Sequence, residues 1–194
     1  MISVEHLNKT FPRYPRTVED KGWIYGMWYC GTSWKKAELY GQYPATFYKR
    51  ALALFPDADR ILHCPSGALH HQPRLGSYYE VMVDCISSQG RHPSVCANAA
   101  ALPFAASSFD LCLSDPPYSK ADGEKYGTGI FPMKAFMQEA RRILKPSGFL
   151  AVLHTSYPSY SRKEWKLVGL IGVVTGFLRA TRVLSIFQKL DVQV

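Results

Sequence analysis

Apolar positions along the chain change period several times, and each change marks an element. From Pro44, "PATFYKRALALF" places Phe47, Ala51, Leu54 and Phe55 at helical spacing behind a proline near its start. "RILHC", "YEVMVDC", "PSVCANA" and "FDLCLSD" then read as short strands. "FPMKAFMQEARRIL" returns to helical spacing and is stopped by "KPSG"; "FLAVLHTS" reads as a fifth strand. "WKLVGLIGVVTG" and "RATRVLSIFQKL" are two β-rich runs close in sequence, which predicts an antiparallel hairpin at the C-terminus. Strands without polar alternation, several separated by helices, predict a mostly parallel sheet covered on both faces. In such sheets ligands lie beyond the carboxyl ends of the strands, here the loops after His63, Asp84, Ala97 and Ser114.

The N-terminal stretch has another character. Lys9, Arg13, Arg16, Lys35, Lys36, Lys49 and Arg50 interleave with Phe11, Tyr14, Trp23, Tyr25, Trp28, Tyr29 and Trp34. Residues 1–43 are therefore expected as a basic, aromatic arm ahead of a domain spanning 44–194. The arm suits a groove that neutralises phosphates and stacks bases. A solvated arm whose aromatics pack on the domain accounts for the same residues.

The chain of 194 residues fits one sizeable core, and no repeat or low-complexity linker suggests a second domain. Its net charge of +8 favours a polyanionic partner. No apolar run reaches the roughly 20 residues of a membrane span and the start lacks a signal-peptide core, so no membrane partner and a cytoplasmic location are expected. Five cysteines, Cys30, Cys64, Cys85, Cys96 and Cys112, lack paired spacing and are read as reduced. His63, His70 and His71 lie near Cys64 without paired ligand spacing, so no metal is expected; the histidines are read as a polar loop. "SKADGEKYGTG", Ser119 to Gly129, is read as a polar lid or surface loop.

The series "ANAAALPFAASSFDLCLSDPPY" and "EARRILKPSGFLAVLH" resembles the central part of the class I S-adenosylmethionine-dependent methyltransferases. The shared features are an acid ending the second strand, "ALPF" after the third, "FDL" opening the fourth and "LKPSG" before the fifth. The resemblance implies an α/β, three-layer Rossmann-like methyltransferase sheet, mostly parallel with a C-terminal antiparallel hairpin, and S-adenosylmethionine as cofactor. It places Cys64, Pro65, Ser66, Gly67 and Ala68 at the cofactor's methionine end and Asp84 at its ribose hydroxyls. Asn98 and Ala99 fall at the adenine, and Ser114 at the end of the fourth strand. The first loop carries one glycine, Gly67, and the segment to Glu80 leaves room only for a short helix or none.

"DPPY", Asp115, Pro116, Pro117 and Tyr118, resembles the catalytic signature of methyltransferases acting on adenine N6 or cytosine N4. The residue types suit that chemistry. An exocyclic amine is a poor nucleophile until acceptors localise its lone pair. Asp115 and the Pro116 carbonyl are acceptors, prolines bring no competing N–H, and Tyr118 offers a ring for stacking. The expected activity is methyl transfer to a nucleobase amine, foremost adenine N6 in DNA, with DNA ahead of RNA as partner and a homodimer compatible with so compact a chain. The same chemistry on RNA, a free base or a protein amide, and a non-catalytic nucleic-acid-binding module, are the alternatives. A strand-ending turn is the structural alternative for the motif itself.

Overall fold

The computed structural model describes residues 1–13, 15–31, 41–69, 79–87, 91–176 and 180–191. Its elements are α1 (Val4–Thr10), β1 (Val18–Asp20), β2 (Trp23–Tyr29), α2 (Phe47–Leu54), β3 (Arg60–His63), β4 (Tyr79–Asp84) and β5 (Val95–Cys96). There follow β6 (Phe109–Ser114), α3 (Lys120–Tyr126), α4 (Met133–Ile143), β7 (Leu144–His154), β8 (Trp165–Val174) and β9 (Arg182–Lys189). The five strands expected ahead of the hairpin correspond to β3, β4, β5, β6 and β7, and the hairpin to β8 and β9. Among the described residues no helix is long and apolar enough to cross a membrane.

One sheet joins the strands in the order β1-β2-β8-β9-β7-β6-β3-β4-β5. Pairing is parallel throughout except where β9 lies between β7 and β8 and where β1 meets β2. Both faces are covered because successive strand residues point to opposite sides. Ile61, Leu111, Leu113, Ala151 and Leu153 pack with Leu7 of α1 and Phe47, Ala51 and Leu54 of α2. Leu62, Val81, Val83, Cys112, Leu150 and Val152 pack with Phe136, Met137, Ala140 and Ile143 of α4. The apolar stripe of α4 thus faces inward, and Arg141 and Arg142 occupy its last turn, where cations favour a helix.

Two expectations are corrected. Residues 1–43 are not an appended arm: β2 pairs in parallel with β8, α1 packs on α2, and Ile24, Trp28 and Cys30 are buried. The alternation of Ile24 and Trp28 with Trp23, Tyr25, Met27 and Tyr29 is a half-buried strand. Trp28 donates to Thr17 Oγ1 at 2.9 Å and Phe11 lies beneath Arg50, while Trp23, Tyr25 and Tyr29 remain exposed. Tyr14, Trp34, Lys35 and Lys36 lie outside the described residues. Ser119 to Gly129 is not simply a loop. The Ser119 hydroxyl caps α3 by accepting from Asp122 N, and Gly127 closes it at φ +70°, a backbone angle that favours glycine.

All five cysteines are free, with Cys30, Cys64 and Cys112 buried. Trp28→Ala is expected to cost about 3–5 kcal/mol, as truncation of a buried aromatic does. Urea unfolding measures this; a loss below about 1 kcal/mol would restore the picture of an arm ahead of the domain.

Candidate active site

Chain connections diverge where β3 and β6 lie side by side, since β3 leads on to β4 and β6 to β7 on the other side. At such a switch point the loops part and leave a crevice beyond the carboxyl ends. A cavity of about 770 Å³ occupies it. Its wall includes Cys64, Pro65 and Gly67 after β3, Asp84 and Cys85 after β4, Ala97, Asn98 and Ala99 after β5, and Asp115 to Tyr118 after β6. Sequence-distant loops predicted to share a rim thus share one cavity.

Gly67 stands at φ +55°, and a Cβ there would lie 1.9 Å from the Gly41 carbonyl oxygen, so only glycine fits without moving the backbone. Its N–H donates to Asp84 Oδ2 at 2.9 Å, while Asp84 Oδ1 accepts from Ile86 N at 3.2 Å. Ser66 N also bonds Val83 O at 2.7 Å. The first loop is therefore clasped to the end of β4 by the acid expected to hold a ribose. A carboxylate has about four lone-pair sites, so these two backbone bonds leave it acceptor capacity. Arg91, buried like Asp84, stands 3.9 Å from Oδ1 and donates to the Tyr126 carbonyl at 3.2 Å, tying this corner to the end of α3.

Asn98 is exposed on the wall, and its Oδ1 accepts from Ala100 N at 2.9 Å. That oxygen, expected to accept from an adenine amine, already supports its own turn; the amide N–H pair stays available as donors. Cys64 is buried, which pushes its thiol well above the usual range and keeps it protonated. Two expected contacts are not brought to the cavity. Ser66 and Ser114 are buried and do not line it, and among the described residues their hydroxyls have no hydrogen-bond partner.

At the other side Tyr118 donates its hydroxyl to Asp115 Oδ1, and Arg182 Nη1 stands 3.6 Å from Oδ2. The Arg182 guanidinium also lies 5.0 Å from the Tyr118 ring centroid, and the His154 ring meets Tyr118 edge-on at 5.1 Å. The ring expected to be an open stacking surface therefore already carries a guanidinium. Burial raises the Asp115 carboxyl to about 6, against the opposing pull of Arg182 and the Tyr118 hydrogen bond. Burial and the neighbouring carboxylate push the Tyr118 hydroxyl far upward, so it stays a donor.

The sequence did not single out Arg91, Arg182, Ile130 or Phe131, nor Asp122, Lys125 and Tyr126 of α3 as wall residues. The last three lie in the segment read as a lid, which was the available signal. Arg182 had none, because β9 is inserted between β7 and β8 and only that order brings its first residue to the rim. His63 is buried and not part of the wall, with Nδ1 at 3.2 Å from the Tyr43 hydroxyl and Nε2 at 3.2 Å from Glu80. Both ring nitrogens are thus engaged within the protein. His70 and His71 lie outside the described residues, as does the segment where a short first helix or none was expected.

Residues 77–152 match the family model described as a methyltransferase domain. Structures with similar folds include TrmN from Thermus thermophilus, at 18% identity and a TM-score of 0.54, covering 78% of this chain and 50% of that one. The putative methyltransferase yhhF from Escherichia coli aligns at 16% identity and a TM-score of 0.50, over 79% of this chain and 90% of its own. The 1,6-didemethyltoxoflavin-N1-methyltransferase of Burkholderia thailandensis, determined with S-adenosylhomocysteine, aligns at 12% identity and a TM-score of 0.51, over 72% and 75%. The fold is that of the Rossmann-like methyltransferases. Among curated proteins no sequence matches this chain, and the chain spans half the length of the TrmN protein.

Within this methyltransferase fold the residues present fit S-adenosylmethionine. Gly67 lets its loop close against the Gly41 backbone at the cavity wall, Asp84 retains acceptor capacity for a diol, and Asn98 and Ala99 supply a donor and an apolar wall.

The raised Asp115 carboxyl also has a consequence for stability. The folded chain retains a proton at Asp115 that the unfolded chain releases near 3.8. Its contribution favours the fold fully below that pH and is lost as pH rises through about 6, on the order of 2–3 kcal/mol in all. Urea unfolding of Asp115→Asn should show a shallower decline between pH 4 and 6 than wild type; an identical slope would contradict the assignment.

Proposed function

We propose that the chain transfers the methyl group of S-adenosylmethionine to an exocyclic amine of a nucleobase, foremost adenine N6 in DNA. The observation that carries this reading is the placement of Asp115, Pro116, Pro117 and Tyr118 in the same cavity as Gly67, Asp84 and Asn98. A motif of acceptors thereby faces the place where the fold's cofactor fits. The methyltransferase domain match and the fold support methyl transfer; the didemethyltoxoflavin enzyme is by its name a nitrogen methyltransferase. The net charge of +8 supports a polyanionic substrate.

S-adenosylmethionine supplies a methyl group already activated by sulfonium charge. The work left to the protein is positioning and electrostatics. Ionised Asp115 and the Pro116 carbonyl accept the two amine N–H bonds and turn the nitrogen lone pair toward the methyl. A proline at 117 keeps a backbone N–H from competing for those acceptors. Tyr118 holds Asp115 through its hydroxyl, and the base must leave its stack to reach so recessed a site. When nitrogen acquires the methyl group, its surplus proton passes to Asp115 or water.

Incubation with methyl-labelled S-adenosylmethionine and separate DNA, RNA, nucleotide and protein pools should label DNA. Label confined to protein would overturn the nucleobase reading. Asp115→Ala should lower kcat by about 100-fold or more. Because only ionised Asp115 is an acceptor on both oxygens, kcat/KM should rise with pH through about 6; a flat profile from pH 5 to 8 would contradict that role.

A further inference from the structure

Arg182 differs from Arg91 in what holds it. Arg91 is buried, and it donates to the Tyr126 carbonyl. Arg182 is partly exposed on the wall, with 24% of its side chain accessible. Its guanidinium lies 3.6 Å from the Asp115 carboxylate and 5.0 Å from the Tyr118 ring centroid, with Tyr126 and Cys30 within electrostatic reach, and no hydrogen bond to a described residue ties it. The separation from Asp115 is that of a charge pair rather than the 2.7–2.9 Å typical of a charge-assisted hydrogen bond. A planar fork of donors thus stands over the target pocket without a hydrogen bond among the described residues.

We propose that Arg182 is a specificity-determining residue that grips a phosphate of the target nucleotide, so that the site takes phosphorylated nucleosides or nucleic acid in preference to free bases or amide side chains. The inference rests on the nucleobase reading above. A phosphate offers two oxygens to the fork, which suits a guanidinium better than an ammonium. Moving Arg182 onto that phosphate frees Asp115 Oδ2 for the amine and uncovers the Tyr118 face for the base. One displacement then links recognition of the backbone to opening of the acceptor clamp. A carboxylate ligand could use the same fork; the chain's net charge of +8 favours the phosphate.

The test is calorimetric titration of the full chain, saturated with S-adenosylhomocysteine, using deoxyadenosine, its 3′- and 5′-monophosphates, and short DNA and RNA oligonucleotides. Wild type should bind the better monophosphate at least about tenfold tighter than the nucleoside. Arg182→Gln should bring that ratio to about one, and Arg182→Lys, with charge but no fork, should leave an intermediate ratio. The oligonucleotide arms distinguish a DNA from an RNA source of the phosphate. A wild-type ratio near one, a ratio that survives Arg182→Gln, or a variant that weakens nucleoside and nucleotides equally would each overturn the proposal, the last by making Arg182 a mere counter-ion of Asp115. Failure of the nucleobase reading would look different: the labelled methyl group would enter neither nucleotides nor polymers, whatever stands at 182.

Discussion

Parallel pairing of β3, β4, β6 and β7 is the constraint on which the site depends. Parallel strands cannot be joined by tight turns, so each connection crosses a face and every strand ends on the same rim. The chain pays for this with strands that must be apolar on both sides, as Ile61 and Leu62, or Leu111, Cys112 and Leu113, show by facing opposite cores. In return, chemistry carried by separate loops converges without those loops having to find one another. The divergence between β3 and β6 opens the crevice, and Gly67 and Asp115 come from the two strands that flank it.

Within that crevice, two carboxylates are held by different partners. Asp84 accepts two backbone N–H groups and lies near Arg91. It fastens the first loop to β4, and this contact supplements a loop with a single glycine. Asp115 is less well provided. Burial raises it to about 6 even though Arg182 and Tyr118 oppose the rise. A carboxyl so poised changes charge with small changes in its neighbours, and an incoming amine is such a change.

The N-terminal segment shows how pattern and placement separate. Its aromatics looked interchangeable in a list of basic and aromatic residues. Pairing of β2 with β8 sorts them, burying Trp28 against Phe47 and leaving Trp23, Tyr25 and Tyr29 exposed on the opposite side of the strand. Period-two alternation was present in the sequence, but what it packed against was not, because β8 lies about 140 residues later.

Local pattern was enough for the α/β class, the positions of β3, β4, β6 and α4, the core of β7 though not its start at Leu144, the terminal hairpin, and the candidate set on the rim. These follow from local periodicity, from the stops at "KPSG" and "DPPY", and from the rule that parallel strands end together. Tertiary structure alone decided what each candidate touches. It turned Asp84 into a clasp for Gly67, left Ser66 and Ser114 buried and off the wall, and engaged the oxygen of Asn98 with its own turn. It also brought Arg182 onto Asp115 and Tyr118. The reason is that sheet order is set by long-range packing and leaves no periodic trace, so a lone arginine opening a late strand gives no local sign that it will stand beside "DPPY".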